Sequence, residues 1–189
     1  MCTHTARLWF PEKMKKKLPT STFVLGGAAS GKSAWAEGLA ESSGLPMIYL
    51  ATGQVFDAEM AAKVEVHKNR RDTRWRTVEA PFDPGAALAD VAKSEVVLID
   101  CATMWLSNHL LAGNALDAAE DALLEALRGC RGHWIIVSNE TGQGIVPENA
   151  LARRFREAQG RLNIRLAAEA ELAVQVIAGL PQVLKGTLP

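Results

Sequence analysis

Residues 26–33 read Gly-Gly-Ala-Ala-Ser-Gly-Lys-Ser. They lie between a β-prone run, Thr22 to Leu25, and a stretch from Lys32 carrying Ala34, Trp35, Ala36, Leu39 and Ala40 at helical spacing. A G-x-x-x-x-G-K-[ST] loop joining a strand to a helix has a definite physical use. Its glycines let backbone N–H groups crowd around phosphate oxygens, Lys32 reaches the β and γ phosphates, and the Ser33 hydroxyl is placed to ligate Mg²⁺. The helix behind it adds the positive end of its dipole. The expectation is a P-loop nucleotide-binding protein in which Gly26, Gly27, Ala28, Ala29, Ser30, Gly31, Lys32 and Ser33 hold a triphosphate.

The rest of the chain fits that start. Apolar runs at Met47 to Ala51, Trp75 to Ala80, Glu95 to Ile99, Trp134 to Val137 and Glu171 to Ile177 read as strands, with a further edge at Gln182 to Lys185. Between them, helical patterns are expected at 57–71 (with Asp57 as cap), 83–93, 103–112, 116–128 and from Pro147 to about Ala170. The run 139–148, rich in Gly, reads as a loop. Strands alternating with helices predict an α/β fold, a three-layer sandwich around a mostly parallel, doubly wound sheet. The strand ending at Asp100 is apolar throughout, as expected inside such a sheet.

At 189 residues the chain suits one such domain, 21–189, preceded by a loose extension, 1–20, in which Met14 is an alternative start. Acidic and basic residues balance at 21 each, which leaves no strong field for nucleic acid or an anionic membrane. No apolar run reaches the roughly 20 residues of a membrane helix. The three cysteines, Cys2, Cys101 and Cys130, are too scattered for a disulfide framework and suit a reducing, cytoplasmic setting.

Two residues outside the loop stand out. Asp100 closes the most apolar strand, where a carboxylate suits the Mg²⁺ shell or the nucleotide; a helix cap near Thr103 is the competing reading. His67 shares a polar helical stripe with Glu59 and Lys63, and Lys68, Arg70 and Arg71 follow it. Neighbouring cations disfavour the imidazolium, which suits a nucleophile, although an exposed histidine on a solvated basic helix has the same composition. The arginines at 153, 154, 156, 161 and 165 likewise read either as a grip on a large ligand or as a solvated face.

The segments GGAASGKS (26–33), ATGQVFDAEMAAKVEVHKNRR (51–71), WRTVEAP (75–81) and NETGQGIVPENALARRFREAQGRLN (139–163) together resemble one family. It is the bifunctional adenosylcobinamide kinase/adenosylcobinamide-phosphate guanylyltransferase of cobalamin biosynthesis, and the resemblance runs from about residue 22 to 185. It implies that a nucleoside triphosphate, ATP or GTP, phosphorylates adenosylcobinamide. It further implies that GTP then transfers GMP through His67 to adenosylcobinamide phosphate, releasing pyrophosphate. Lys32 is then catalytic beside His67. Ala51, Thr52, Gly53, Lys68, Asn69, Arg70, Arg71, Glu79 and Asp100 fall where that family contacts GTP, with Ser33 and Asp100 toward Mg²⁺. A carboxylate at Glu79 would accept from N1 and the exocyclic amine of guanine. Ala29, Asp100 (where some relatives carry Glu) and Thr141 depart from the usual pattern without removing a group the chemistry needs. The resemblance also implies a homo-oligomer, a trimer. Without it, the residues fit equally a P-loop kinase for another small molecule or a nucleotide-binding switch.

Overall fold

The computed structural model describes residues 17–54 and 73–189. Seven strands form a single sheet: β1 (Ser21–Gly26), β2 (Met47–Ala51), β3 (Trp75–Glu79), β4 (Val96–Asp100), β5 (His133–Asn139), β6 (Leu172–Ile177) and β7 (Leu180–Lys185), in the order β3-β2-β4-β5-β1-β6-β7. All pairings are parallel except β6 with β7. The helices are α1 (Lys32–Ser42), α2 (Gly85–Ala89), α3 (Ala102–Leu111), α4 (Leu116–Gly129) and α5 (Ala150–Glu169).

The layers follow from which strand residues point where. Val24, Tyr49, Leu98, Val137 and Val174 face one side and bury Trp35, Ala36, Leu39 and Ala40 of α1. Phe23, Leu50, Ile99 and Ile136 face the other, where α2 to α5 supply Leu88, Trp105, Leu106, Leu124, Leu127 and Leu162. This alternation across the pleat explains why the interior strands are apolar throughout: both faces are covered. Each fully buried large side chain here contributes about 1.5–3 kcal/mol of transfer free energy. The edge strand β7 is covered less, and Leu180, Val183 and Leu184 are exposed.

Two element boundaries differ from the sequence expectation. The helix expected over 83–93 shrinks to one short turn, α2, entered through Asp83 Oδ1 accepting from the Gly85 N–H at 2.8 Å. Its chain then bends because the Glu95 carboxylate captures the Ala92 N–H at 2.8 Å and the backbone of Ala92 and Glu95 packs against Gly132. Pro147 stands outside the last helix rather than in its first turn. Asn149 caps α5 through Oδ1, which accepts from the Ala152 N–H at 3.1 Å.

Of the stretch assigned to an extension, Leu18 is buried in the core on the α1 side of the sheet, and the Pro19 carbonyl accepts from His133 Nδ1 at 2.9 Å. The helix expected at 57–71 lies outside the described residues. No helix among the described residues is long and apolar enough to cross a membrane.

Candidate active site

Parallel strands all deliver their carboxyl ends to one rim of the sheet, and the glycine loop leaves β1 there. The Gly26 carbonyl accepts from the Glu140 N–H at 3.0 Å, which fastens the root of the loop to the exit of β5. A Cβ on Gly26 would stand 2.4 Å from Ser30 Oγ and 2.8 Å from the Val176 carbonyl, so the loop curls too tightly over this position for any side chain. The curl is completed through positive φ at Ala29 (55°) and Gly31 (92°).

Helix α1 starts at Lys32 with no capping side chain and no acidic residue in its first turn. Its leading N–H groups, and the positive dipole end, are thereby left for an anion. Lys32 Nζ donates to the Gly27 carbonyl at 3.1 Å, folding the ammonium across the loop mouth. Ser30 Oγ is buried and has no partner among the described residues.

Sheet order sets what lies beside this cradle. From β1 the rim passes β5, then Asp100 at the end of β4, then Ala51 to Gly53 leaving β2, then Glu79 at the end of β3. Four strand spacings separate β1 from β3, about 19 Å. A nucleotide with its phosphates on the loop therefore lies across β4 and β2 if its base is to reach Glu79, which is exposed.

Asp100 Oδ2 accepts from the Tyr49 hydroxyl at 3.2 Å. It caps no helix: the N-cap position of α3 is Cys101, and no side chain bonds there. The Cys101 thiol is pushed up to about 11, chiefly by burial and then by the Asp100 charge, with Lys32 acting the opposite way. It remains a protonated thiol at neutral pH and is no nucleophile. Ser33 and Asp100 offer a hydroxyl and a carboxylate, hard oxygen donors that fit Mg²⁺ completed by phosphates and water. No cluster of three His, Cys, Asp or Glu exists among the described residues.

Thus Gly26 to Ser33, Ala51, Thr52, Gly53, Glu79 and Asp100 come to one rim. His67, Lys68, Asn69, Arg70 and Arg71 lie outside the described residues. A cleft of about 570 Å³ opens between the glycine loop, the 140–144 segment and the end of β6. The arginines of α5 divide their roles. Arg153 donates to the Pro147 carbonyl at 2.9 Å and Arg156 to the Ile145 carbonyl at 3.0 Å, so both brace the loop beside that cleft. Arg165 pairs with Glu120 and Asp121, and Arg161 with Glu157.

Behind the rim lie two buried polar groups, of which the sequence reading names only Thr52. Ser138, Gln159 and Asn163 form a closed network under the exit of β5: Ser138 Oγ donates to Asn163 Oδ1 at 2.6 Å, and Gln159 Nε2 donates to both at 2.9 Å. Thr52 and Asn108 form the other, under β2 and β3. The available signal was polar residues interrupting apolar helical stripes, Asn108 beside Trp105 and Gln159 beside Leu162.

Residues 22–184 match the family model described as cobinamide kinase / cobinamide phosphate guanyltransferase. The chain belongs to this family. The chain is similar to a bifunctional adenosylcobalamin biosynthesis protein, CobP, of Pseudomonas aeruginosa. It is 45% identical over 166 residues, covering 86% of this chain and 96% of that one. CobU of Escherichia coli, also named as bifunctional in adenosylcobalamin biosynthesis, is 39% identical over 173 residues, 83% of this chain and 95% of that protein. Among solved structures, the assembled type III secretion ATPase EscN of enteropathogenic E. coli shares the fold alone. Its TM-score is 0.52 at 10% identity, over 85% of this chain and 43% of that one. Family membership makes the chain an enzyme with the two activities in the family's description, a kinase acting on cobinamide and a guanylyltransferase acting on cobinamide phosphate.

Proposed function

We propose that both activities run on one nucleotide rim, with the glycine loop as the shared phosphate cradle and His67 as the covalent carrier of GMP. The observation that carries this reading is the line-up of the loop, Asp100, Ala51 to Gly53 and Glu79 along a single edge of the sheet. In the kinase step the acceptor hydroxyl of adenosylcobinamide attacks the γ-phosphorus of ATP or GTP, and the nucleoside diphosphate leaves. Lys32 and the N–H groups of the loop and first helical turn hold the phosphate oxygens in line and offset their charge.

In the second step a ring nitrogen of His67 attacks the α-phosphorus of GTP. The bond to the β-phosphate oxygen breaks, and pyrophosphate departs. The phosphate oxygen of adenosylcobinamide phosphate then attacks the same phosphorus, the P–N bond breaks, and adenosylcobinamide-GDP is formed. Within the described residues the one thiol at the rim, Cys101, stays protonated, which favours a nucleophile drawn from elsewhere. Guanine is selected by Glu79 accepting from N1–H and the exocyclic amine. Ser33 and Asp100 would hold Mg²⁺, which would supply positive charge against the phosphates. Lys68, Asn69, Arg70 and Arg71 add phosphate contacts. The working form is a homo-oligomer, a trimer in the cytoplasm; the exposed Leu180, Val183 and Leu184 of β7 favour self-association, and the free Cys101 and Cys130 suit a reducing compartment. Nucleic acid has no part, as the balanced charge suggests.

GTP labelled at the α-phosphate tests the covalent step. The intact protein is expected to take up an acid-labile label and lose it to adenosylcobinamide phosphate. His67→Ala should take up none yet retain phosphorylation of adenosylcobinamide. Equal loss of both activities in a folded His67→Ala protein would refute the division of labour.

A further inference from the structure

Three strand exits on the nucleotide rim are tied to one face of α3. Thr52, directly after β2, is fully buried and its hydroxyl is doubly engaged. It accepts from the Cys101 N–H at 2.7 Å and donates to the Cys101 carbonyl at 2.7 Å, while the Thr52 N–H donates to the Asp100 carbonyl at 3.2 Å. The exits of β2 and β4 are thereby locked together. From α3, the Asn108 amide donates to the Thr52 carbonyl at 2.8 Å and to the Pro81 carbonyl at 2.9 Å. The same face pins the next peptide: Trp105 Nε1 and His109 Nε2 both donate to the Phe82 carbonyl, at 2.9 and 3.0 Å.

Asn108 is an expensive choice for mere filling. It is 3% exposed, and its Oδ1 has no partner among the described residues. A buried, unpaired carbonyl carries a desolvation cost that a leucine of similar size would avoid. What the amide supplies and leucine lacks is a pair of fixed bonds to backbone carbonyls of two separate loops. Those loops flank Glu79. Ala80, between Glu79 and Pro81, donates its N–H to the Ala51 carbonyl at 2.8 Å, so a shift at Pro81 is passed directly to the Glu79 carboxylate and to Ala51.

We propose that Asn108 is a positioning residue for purine recognition. By fixing the exits of β2 and β3 relative to each other, it sets where Glu79 stands against a base lying over Ala51 to Gly53. Guanine is then told from other purines by a carboxylate whose place is held from behind. The inference rests on the reading of Glu79 as the guanine acceptor.

The test compares GTP with ITP, which lacks the exocyclic amine, by titration calorimetry on the full chain and on Asn108→Leu and Asn108→Ala. Inorganic tripolyphosphate reports the cradle separately, and melting curves report the fold. The GTP-over-ITP preference is expected to fall about tenfold or more in both variants, the scale of one charged hydrogen bond. Tripolyphosphate affinity should stay within about twofold, since the exits that Asn108 ties lie about three and four strand spacings from the loop. A purely structural role would lower the melting temperature or weaken all three ligands alike. An unchanged preference in folded variants overturns the proposal. Should neither variant fold, Trp105→Phe removes one bond to Phe82 while keeping an aromatic ring in the core; it is expected to lower the preference several-fold, and an unchanged preference there overturns the proposal too. If the wild-type chain shows no preference for GTP over ITP, the Glu79 reading itself fails, a result distinct from an unchanged ratio.

Discussion

Two glycines four residues apart in the same loop should respond very differently to a methyl group. Gly31 adopts φ 92°, where an L-residue is strained, and its added Cβ would lie 3.0 Å from the Gly179 Cα in the β6–β7 turn. The left-handed backbone alone costs about 1–2 kcal/mol. The contact adds overpacking worth about 1–3 kcal/mol, at the lower end because a surface turn yields more readily than a core. Gly31→Ala is therefore expected to lose about 2–4 kcal/mol. Gly27 is the control: a Cβ there meets nothing within 4 Å, and its φ is not positive. Gly27→Ala should stay within about 0.5 kcal/mol of wild type. Urea unfolding reads both, and Gly31→Ala should lower the midpoint by about 1–2 M at a slope of about 2 kcal/mol per M. Equal stability of the two variants would refute the argument that the loop's shape is dictated by backbone geometry.

Other consequences follow from the buried polar groups. Below pH 9 the Cys101 thiol is protonated in both folded and unfolded chains. As pH rises from 9 toward 11 only the unfolded chain ionises there, so stability is lost across that window by up to about 3 kcal/mol. Cys101→Ala should remove this part of the alkaline loss, measured as unfolding free energy at pH 8 and at about pH 10.5. In the network under β5, Asn163→Leu removes the acceptor of the Ser138 hydroxyl, one of the two acceptors of Gln159 Nε2 and the side-chain donor to the Asn139 carbonyl, and should cost about 2–4 kcal/mol. Gln159→Leu also discards the unpaired Gln159 Oε1, so it should cost less than about 1 kcal/mol in the same unfolding assay. The reverse ranking would show that the network is not organised around Asn163.

The sequence legibly encodes whatever is local or periodic. Interior strands such as β4 and β5 announce themselves as unbroken apolar runs because both sheet faces are covered, and the glycine loop because few backbones curl that way. The family resemblance placed the rim residues along the chain. Their spatial order did not follow, since no pattern within β2 or β3 states that β4 lies between them and β5. The helix α2 is shorter than its pattern over 83–93 because the bend after it depends on Glu95 and Gly132, residues brought in from outside that pattern. Asn108 interrupts an apolar stripe, but its role is not legible for a related reason: its two acceptors are backbone carbonyls 56 and 27 residues away, and only the fold assembles them. Arg153 and Arg156 read as a grip or a solvated face, yet they brace a loop whose course sequence does not specify.

The account stands on His67 and the glycine loop acting on the same triphosphate. A structure of the chain with a non-hydrolysable GTP analogue and Mg²⁺ measures that directly. It should show the phosphates on Gly26 to Ser33, the guanine at Glu79, and a His67 ring nitrogen about 3–3.5 Å from the α-phosphorus, the near-attack separation. An α-phosphorus that no His67 ring of any subunit approaches, with the base turned away from Glu79, would contradict it.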